Sequence, residues 1–157
     1  MDIDDSKITD FDAWIALARE VEPLFGPMAD EVAFQNALRQ AVSEGTAFCI
    51  RPGPHEKDTV LKGGVVISKT SNEIAWLAVS QPYRRKGYGR QLIQFAVGKL
   101  NPEKSIFVQT FDGAVPEGTS ARKLYMDLGF TDFKDGGLNP AGFRTVIMRL
   151  AASTVCR

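Results

Sequence analysis

Residues 73–100, EIAWLAVSQPYRRKGYGRQLIQFAVGKL, constrain the fold more than any other part of the chain. The segment opens on an apolar run from Ile74 to Val79, passes a basic loop at Arg84-Arg85-Lys86, and reaches two glycines, Gly87 and Gly89. Beyond them, Gly89, Leu92, Ile93, Ala96 and Leu100 recur at the spacing of one helical face. A buried strand, a glycine-containing loop and a helix, in that order, aim backbone N–H groups and a positive helix N-terminus at a bound anion. Three cations and two glycines at the junction point to a polyphosphate ligand.

Two phosphate motifs with a fixed consensus are excluded. A Walker loop needs Gly-Lys-Ser or Gly-Lys-Thr, which the chain lacks. The dinucleotide fingerprint needs a third glycine where Leu92 stands, and no β-α-β unit opens the chain. The positive charge is local, because Lys plus Arg and Asp plus Glu number 19 each. A net charge of zero gives no field for nucleic acid or an anionic membrane surface. No apolar run approaches the roughly 20 residues that span a bilayer. A small anionic ligand is therefore expected, with no nucleic-acid or membrane partner. Cys49 and Cys156 show neither metal nor redox spacing, so no metal is expected, and Cys49 reads as a buried thiol. The acidic start, MDIDDSKITD, is unlike a secretory signal, and a reducing cytoplasm is the expected compartment.

One domain is expected over residues 1–150, with 151–157 a frayed tail. A short strand falls within 3–9. A first helix follows, capped by Asp10 or Thr9, and a second runs over 30–43 to a stop at Gly45. Glu22-Pro23 and Gly26-Pro27 break the chain between them. Strands are expected at 46–51, 60–68 and 73–79. The central helix ends at Asn101-Pro102, and a strand at 105–110 precedes a helix at 120–128 stopped by Gly129. The last strands are 130–133 and 144–150, joined by a connection at 135–143. His55, the only histidine, lies in a Pro/Gly turn and reads as exposed rather than catalytic. The fold class is α/β, in the order β-α-α-β-β-β-α-β-α-β-β. Antiparallel pairing across 46–79 and a parallel crossover over 73–110 give a mixed sheet with helices on both faces. The apolar turn Leu24-Phe25-Gly26-Pro27-Met28 either packs on the core or lines a substrate pocket.

Arg84-x-x-Gly87-x-Gly89 after a strand, followed by Ala121-Arg122-Lys123-Leu124-Tyr125 and then Leu128-Gly129-Phe130, resembles the GNAT family of acyl-CoA-dependent N-acetyltransferases. The element order over 3–150 is similar to that family's whole fold. The resemblance implies that strands 73–79 and 105–110 splay apart and hold acetyl-CoA in the gap. It implies that Leu77-Ala78-Val79 pairs with the pantetheine arm. Arg84, Arg85, Lys86, Gly87, Tyr88, Gly89 and Arg90 would bind the pyrophosphate, with Ser120 on the later helix. Tyr125 resembles the family's general acid, which protonates or hydrogen-bonds the leaving thiolate; its apolar helix face alone reads as core. Glu73 is placed like the base glutamate of the histone-acetylating branch; its position alone reads as a strand-end carboxylate. A lysine-like amine is only about one part in 2,500 neutral at pH 7, so its proton must be accepted, directly or through water.

The implied activity is direct acetyl transfer from acetyl-CoA to a primary amine of a small molecule, peptide or protein. A catalytically silent acyl-CoA-binding module of the same fold is the alternative. Family members often dimerise, so a homodimer is also implied. One departure from the family stands at Gly118, where many relatives carry asparagine; Thr119 or Ser120 is the candidate substitute as helix cap. Segments 23–34, 111–118 and 136–143 are expected to form the acceptor pocket, where Glu22, Asp30, Asp112 and Glu117 would serve a cationic acceptor.

Overall fold

The computed structural model describes residues 3–53 and 60–153, so His55 and Cys156 lie outside the described residues. The chain runs β1 (Asp4–Asp5), α1 (Phe11–Glu20), α2 (Glu22–Phe25), α3 (Val32–Glu44), β2 (Ala47–Ile50), β3 (Gly63–Ser68) and β4 (Glu73–Val79). It continues with α4 (Tyr88–Lys99), β5 (Ile106–Phe111), α5 (Thr119–Asp127), β6 (Thr131–Leu138) and β7 (Arg144–Leu150). The strands form one sheet of order β1-β2-β3-β4-β5-β7-β6. Every pairing is antiparallel except the parallel contact of β4 with β5. The α/β class and mixed sheet read from the sequence are present.

Helices cover both faces. On one, Trp14, Leu17 and Val21 of α1 and its end, with Leu38 and Ala41 of α3, pack on Ala47, Cys49 and Ala78. On the other, Leu92, Ile93 and Ala96 of α4 and Tyr125 of α5 pack on Val65, Ile67, Ile74, Val108 and Met148. Sandwiched between these layers, β4 exposes only Ala75 fully, which is why its sequence is an almost continuous apolar run. A bulge at Ala75 then resets its alternation, because Ile67 pairs with Ile74 but Val66 pairs with Trp76. Ile74 packs in the α4/α5 layer, whereas Trp76, two residues on, packs in the α1/α3 layer. Beyond the bulge, Leu77 and Val79 return to the α4/α5 side and Ala78 to the other.

Several local expectations are corrected. The break at Glu22-Pro23 is itself a helical turn, α2, with Pro23 in its first turn, where a missing N–H costs nothing. Strand β6 extends to Leu138 rather than stopping at 133, because the glycines read as a connection form a bulge, with Gly137 at φ 75°. Asp10 precedes α1 without capping it; its carboxylate accepts the Lys7 N–H and two Arg51 N–H groups, each at 2.8 Å. Neither Thr119 nor Ser120 caps α5, whose N-cap is Gly118 with no side-chain capping bond. Gly118 is buried, and a Cβ there would overlap the Phe111 Cβ and stand 2.7 Å from two of its ring carbons. Phe111 thus fills the space that an asparagine at 118 would need.

Candidate active site

Strands β4 and β5 pair only at Glu73↔Phe107 and Ile74↔Val108, although β4 continues to Val79 and β5 to Phe111. The two parallel strands therefore diverge from Ala75 onward. Asn72 fastens the closed end. This buried residue, at φ 54°, donates from Nδ2 to the Asn101 and Ser105 carbonyls at 3.0 Å each. Its Oδ1 accepts the Asn101 N–H at 2.8 Å, and its own carbonyl accepts the Phe107 N–H at 3.2 Å. One side chain thus ties the turn before β4 to the chain entering β5.

The open edge of β4 follows from strand alternation. Ser80 N–H donates to the Lys62 carbonyl at 2.9 Å, so residues 78 and 80 address β3, and Leu77 and Val79 point their backbone groups toward the gap. The Arg84 Nε donates to the Val79 carbonyl at 2.9 Å. The Leu77 N–H and C=O and the Val79 N–H are left with no strand partner on that edge. Backbone groups in this state are strong hydrogen-bonding sites for an extended ligand carrying amides.

At the wide end of the gap, the chain turns into α4. Arg85 (φ 63°) and Gly87 (φ 89°) both adopt left-handed backbone, and Gly87 is the N-cap of α4 with no side-chain capping bond. The first amides of α4, at Tyr88, Gly89 and Arg90, therefore stand uncapped at the positive end of a three-turn helix. A Cβ on Gly87 would meet nothing within 4 Å, so its glycine answers to backbone conformation. Gly89 differs, because a Cβ there would lie 3.2 Å from Leu124 of α5. It lets α4 seat against α5.

The cations are arranged unevenly around this turn. Arg84, though exposed, has its guanidinium 3.7 Å from Glu20, whose carboxylate also accepts Ser80 Oγ–H at 2.7 Å and Gln81 N–H at 2.8 Å. Arg90 lies 3.5 Å from Asp127. Arg85 and Lys86 are exposed, and Lys62 Nζ lies 5.1 and 5.7 Å from the Tyr83 and Tyr88 ring centroids. Ser120 is exposed in the first turn of α5.

Tyr125 is 3% exposed, with its ring 5.4 Å from that of Phe130. Burial alone pushes its hydroxyl well above the ordinary phenol range, so it stays protonated at every pH at which the protein works. Glu73 sits at the closed end of the strand pair, half-buried, where the Ser71 hydroxyl donates to its Oε1 at 2.9 Å. Four residues of strand put it about 13 Å from Leu77 along β4. Alternation with Ile74 places it on the α1/α3 side, the same side as Trp76.

On that side the three loop segments named above as the acceptor pocket meet. Phe25 of α2 bridges the diverging strands, 5.9 Å from the Trp76 ring on β4 and 6.0 Å from the Phe111 ring on β5. Phe143 stacks edge-on against Phe111 at 5.7 Å, and Phe34 of α3 lies 6.3 Å from Trp76. The Asn139 amide donates to the Leu24 carbonyl at 2.9 Å, and Gly26 packs so closely on Pro140 that a Cβ would overlap it. Of the four acids, three are engaged. Glu22 accepts the Met28 and Ala29 N–H groups, Asp30 pairs with both terminal nitrogens of Arg19, and Asp112 accepts the Ala114 N–H.

A separate cavity of about 650 Å³, lined by Asp112, Asp132, Asp135, Leu138, Arg144 and Val146 among others, lies along β6 and β7 and includes no residue of β4 or of the basic turn. Among the described residues, no three His, Cys, Asp or Glu side chains converge as a metal site, and no helix is long and apolar enough to cross a membrane. Sequence reasoning missed Asn72, Glu20 and Lys62. The first two act across 29 and 60 residues of chain, a coupling with no local signature.

Residues 47–132 match the acetyltransferase (GNAT) domain family. No curated protein sequence matches the chain. Among solved structures, the chain is similar to a GNAT-family acetyltransferase from Bacillus cereus (TM-score 0.69, 17% identity, 96% of each chain covered). It is also similar to the ribosomal-protein-S18-alanine N-acetyltransferase of Escherichia coli (0.67, 18%, covering 98% of this chain and 95% of that one). A third likeness is to a chain of the NatC complex bound to Gag peptide and CoA (0.68, 16%, 96% and 99%). At these identities the likeness bears on the fold.

Proposed function

Because this chain belongs to the GNAT acetyltransferase family and is an acyltransferase, we propose that it moves an acetyl group directly from acetyl-CoA to a primary amine. The observation that carries this reading is the divergence of β4 from β5 beside the uncapped start of α4. A strand edge with free amide groups suits the two amides of pantetheine, and the helix N-terminus with its cations suits the pyrophosphate. The NatC neighbour, solved with CoA, supports that choice of donor.

In this arrangement the Leu77 or Val79 N–H donates to the thioester carbonyl and stabilises the charge that develops on its oxygen. The amine lone pair attacks the carbonyl carbon, the new C–N bond forms, and the C–S bond breaks to release thiolate. Cys49 takes no part as a nucleophile, being fully buried with its thiol pushed up by burial. The Tyr125 hydroxyl is a weaker acid than a thiol of pKa about 8.5, so it helps the leaving sulfur by hydrogen bonding rather than by complete proton transfer. The amine proton passes to Glu73 through water, since about 13 Å of strand separates that residue from Leu77.

The test is release of free thiol from acetyl-CoA across a panel of amines, with product mass confirming one added acetyl group. Saturable, amine-dependent release is expected. Acetyl-CoA binding without release on any amine would overturn the transfer reading.

A further inference from the structure

Trp76 carries a buried indole N–H that has no hydrogen-bond partner, alone among the buried side-chain polar atoms of the described residues. Leaving such a donor unpaired is costly, and native proteins seldom do so away from a ligand. Trp76 is the second residue past the last β4–β5 pair, on the strand segment that bears Leu77. Its ring belongs to the half-buried aromatic group of Phe25, Phe34 and Phe143 that, with Phe111, spans the gap on the α1/α3 side. Of the four acids on these segments, Glu22 and Asp112 accept backbone N–H groups and Asp30 pairs with Arg19, which leaves Glu117. An aromatic wall with one unpaired N–H and few free acids does not suit a polycation.

We propose that the acceptor is an α-amino group beside a carbonyl, with an apolar side chain: the side chain lies among Phe25, Phe34 and Phe143, and the carbonyl oxygen accepts the Trp76 N–H. This rests on the acetyl-transfer reading given above. The position of Glu73 agrees with it. An α-amino group is about one part in ten neutral at pH 7, against one in 2,500 for a lysine-like amine. A base that works only through water is then sufficient. The same chemistry occurs in a free amino-acid amide and at a peptide N-terminus.

Thiol release is measured with phenylalaninamide, a Phe-Ala-Ala-Ala amide, phenethylamine and spermidine. Phenylalaninamide or the peptide is expected to exceed spermidine in kcat/KM by about tenfold or more, and the better of the two identifies the source. Trp76→Phe keeps a ring and removes the N–H. It should raise KM for the carbonyl-bearing acceptors about 3- to 10-fold, the loss of one buried hydrogen bond, with KM for acetyl-CoA unchanged. For phenethylamine, which has no oxygen, the same variant should shift KM by less than about twofold. Preference for spermidine, or an equal KM shift for phenethylamine and phenylalaninamide, overturns the acceptor assignment while acetyl transfer stands. No release with any of the four, despite acetyl-CoA binding, overturns both.

Discussion

Replacing Gly118 by alanine sets two effects of opposite sign against each other. Its backbone, at φ −99° and ψ 0°, is one that alanine adopts freely. Reduced freedom of the unfolded chain alone would therefore stabilise the protein by about 0.4–1 kcal/mol. Against this, the new methyl would overlap the Phe111 Cβ and lie 2.7 Å from Cγ and Cδ2 of that ring. Phe111 cannot easily retreat, being 7% exposed, fixed in β5, and held between Phe25 at 6.0 Å and Phe143 at 5.7 Å. Overpacking of this kind costs about 1–3 kcal/mol, so the contact wins by about 0.5–2 kcal/mol. For a chain of this length each kcal/mol moves the melting temperature about 2–4 °C, giving a fall of about 1–8 °C by circular dichroism. The second arm of the cycle uses Phe111→Gly, which removes the overlapping Cβ together with the ring and itself costs more than the about 3–5 kcal/mol of a Phe→Ala change. In that background the penalty at 118 should shrink by at least half. A raised melting temperature for Gly118→Ala, or an equal loss in both backgrounds, refutes the packing account of this glycine.

Tyr125→Phe should lower kcat about 10- to 150-fold, the worth of one hydrogen bond to a charged sulfur, while KM for acetyl-CoA and thermal stability stay within error. Asn72→Ala should destabilise by about 2–4 kcal/mol and raise KM for acetyl-CoA, because it frees the closed end of the β4–β5 divergence; Asn72→Gly, which keeps the positive φ, separates backbone strain from lost hydrogen bonds in the same melting assay. Asp10 is held below the usual carboxylate range, first by its hydrogen bonds from Arg51. Its contribution is therefore present above about pH 4 and lost as pH falls through its lower folded value. Asp10→Asn should cost about 1–2 kcal/mol at pH 7 and progressively less as pH falls below about 4, read from urea midpoints along that pH series.

The strand, turn and helix of the candidate site were legible because they are local in sequence. Strand, basic turn, Gly87 and helix are contiguous, and short-range spacing encodes their backbone geometry. Three features were not legible, for physical reasons. The bulge at Ala75 leaves no mark in an all-apolar run, yet it moves Trp76 to the α1/α3 side and decides which amides face the gap. Asn72 and Glu20 look like turn and surface residues until folding brings Asn101 and Ser80 to them. The Gly136-Gly137 pair reads as loop because glycine weakens strands in general, whereas here it supplies a bulge that β6 needs to stay paired with β7. The departure at Gly118 was visible in the chain, but its cause, Phe111 seven residues earlier, is visible only in packing.

The central claim is that the donor lies along the diverging edge of β4 and over the first turn of α4. Residue-resolved hydrogen exchange of the full chain, with and without acetyl-CoA, tests this directly. Slowed exchange is expected at the Leu77 and Val79 amides and at those of 87–90, with the paired amides near Ile74 already slow in both states. Unchanged exchange at Leu77, Val79 and 87–90, or protection confined to 132–146 around the separate cavity, would contradict it.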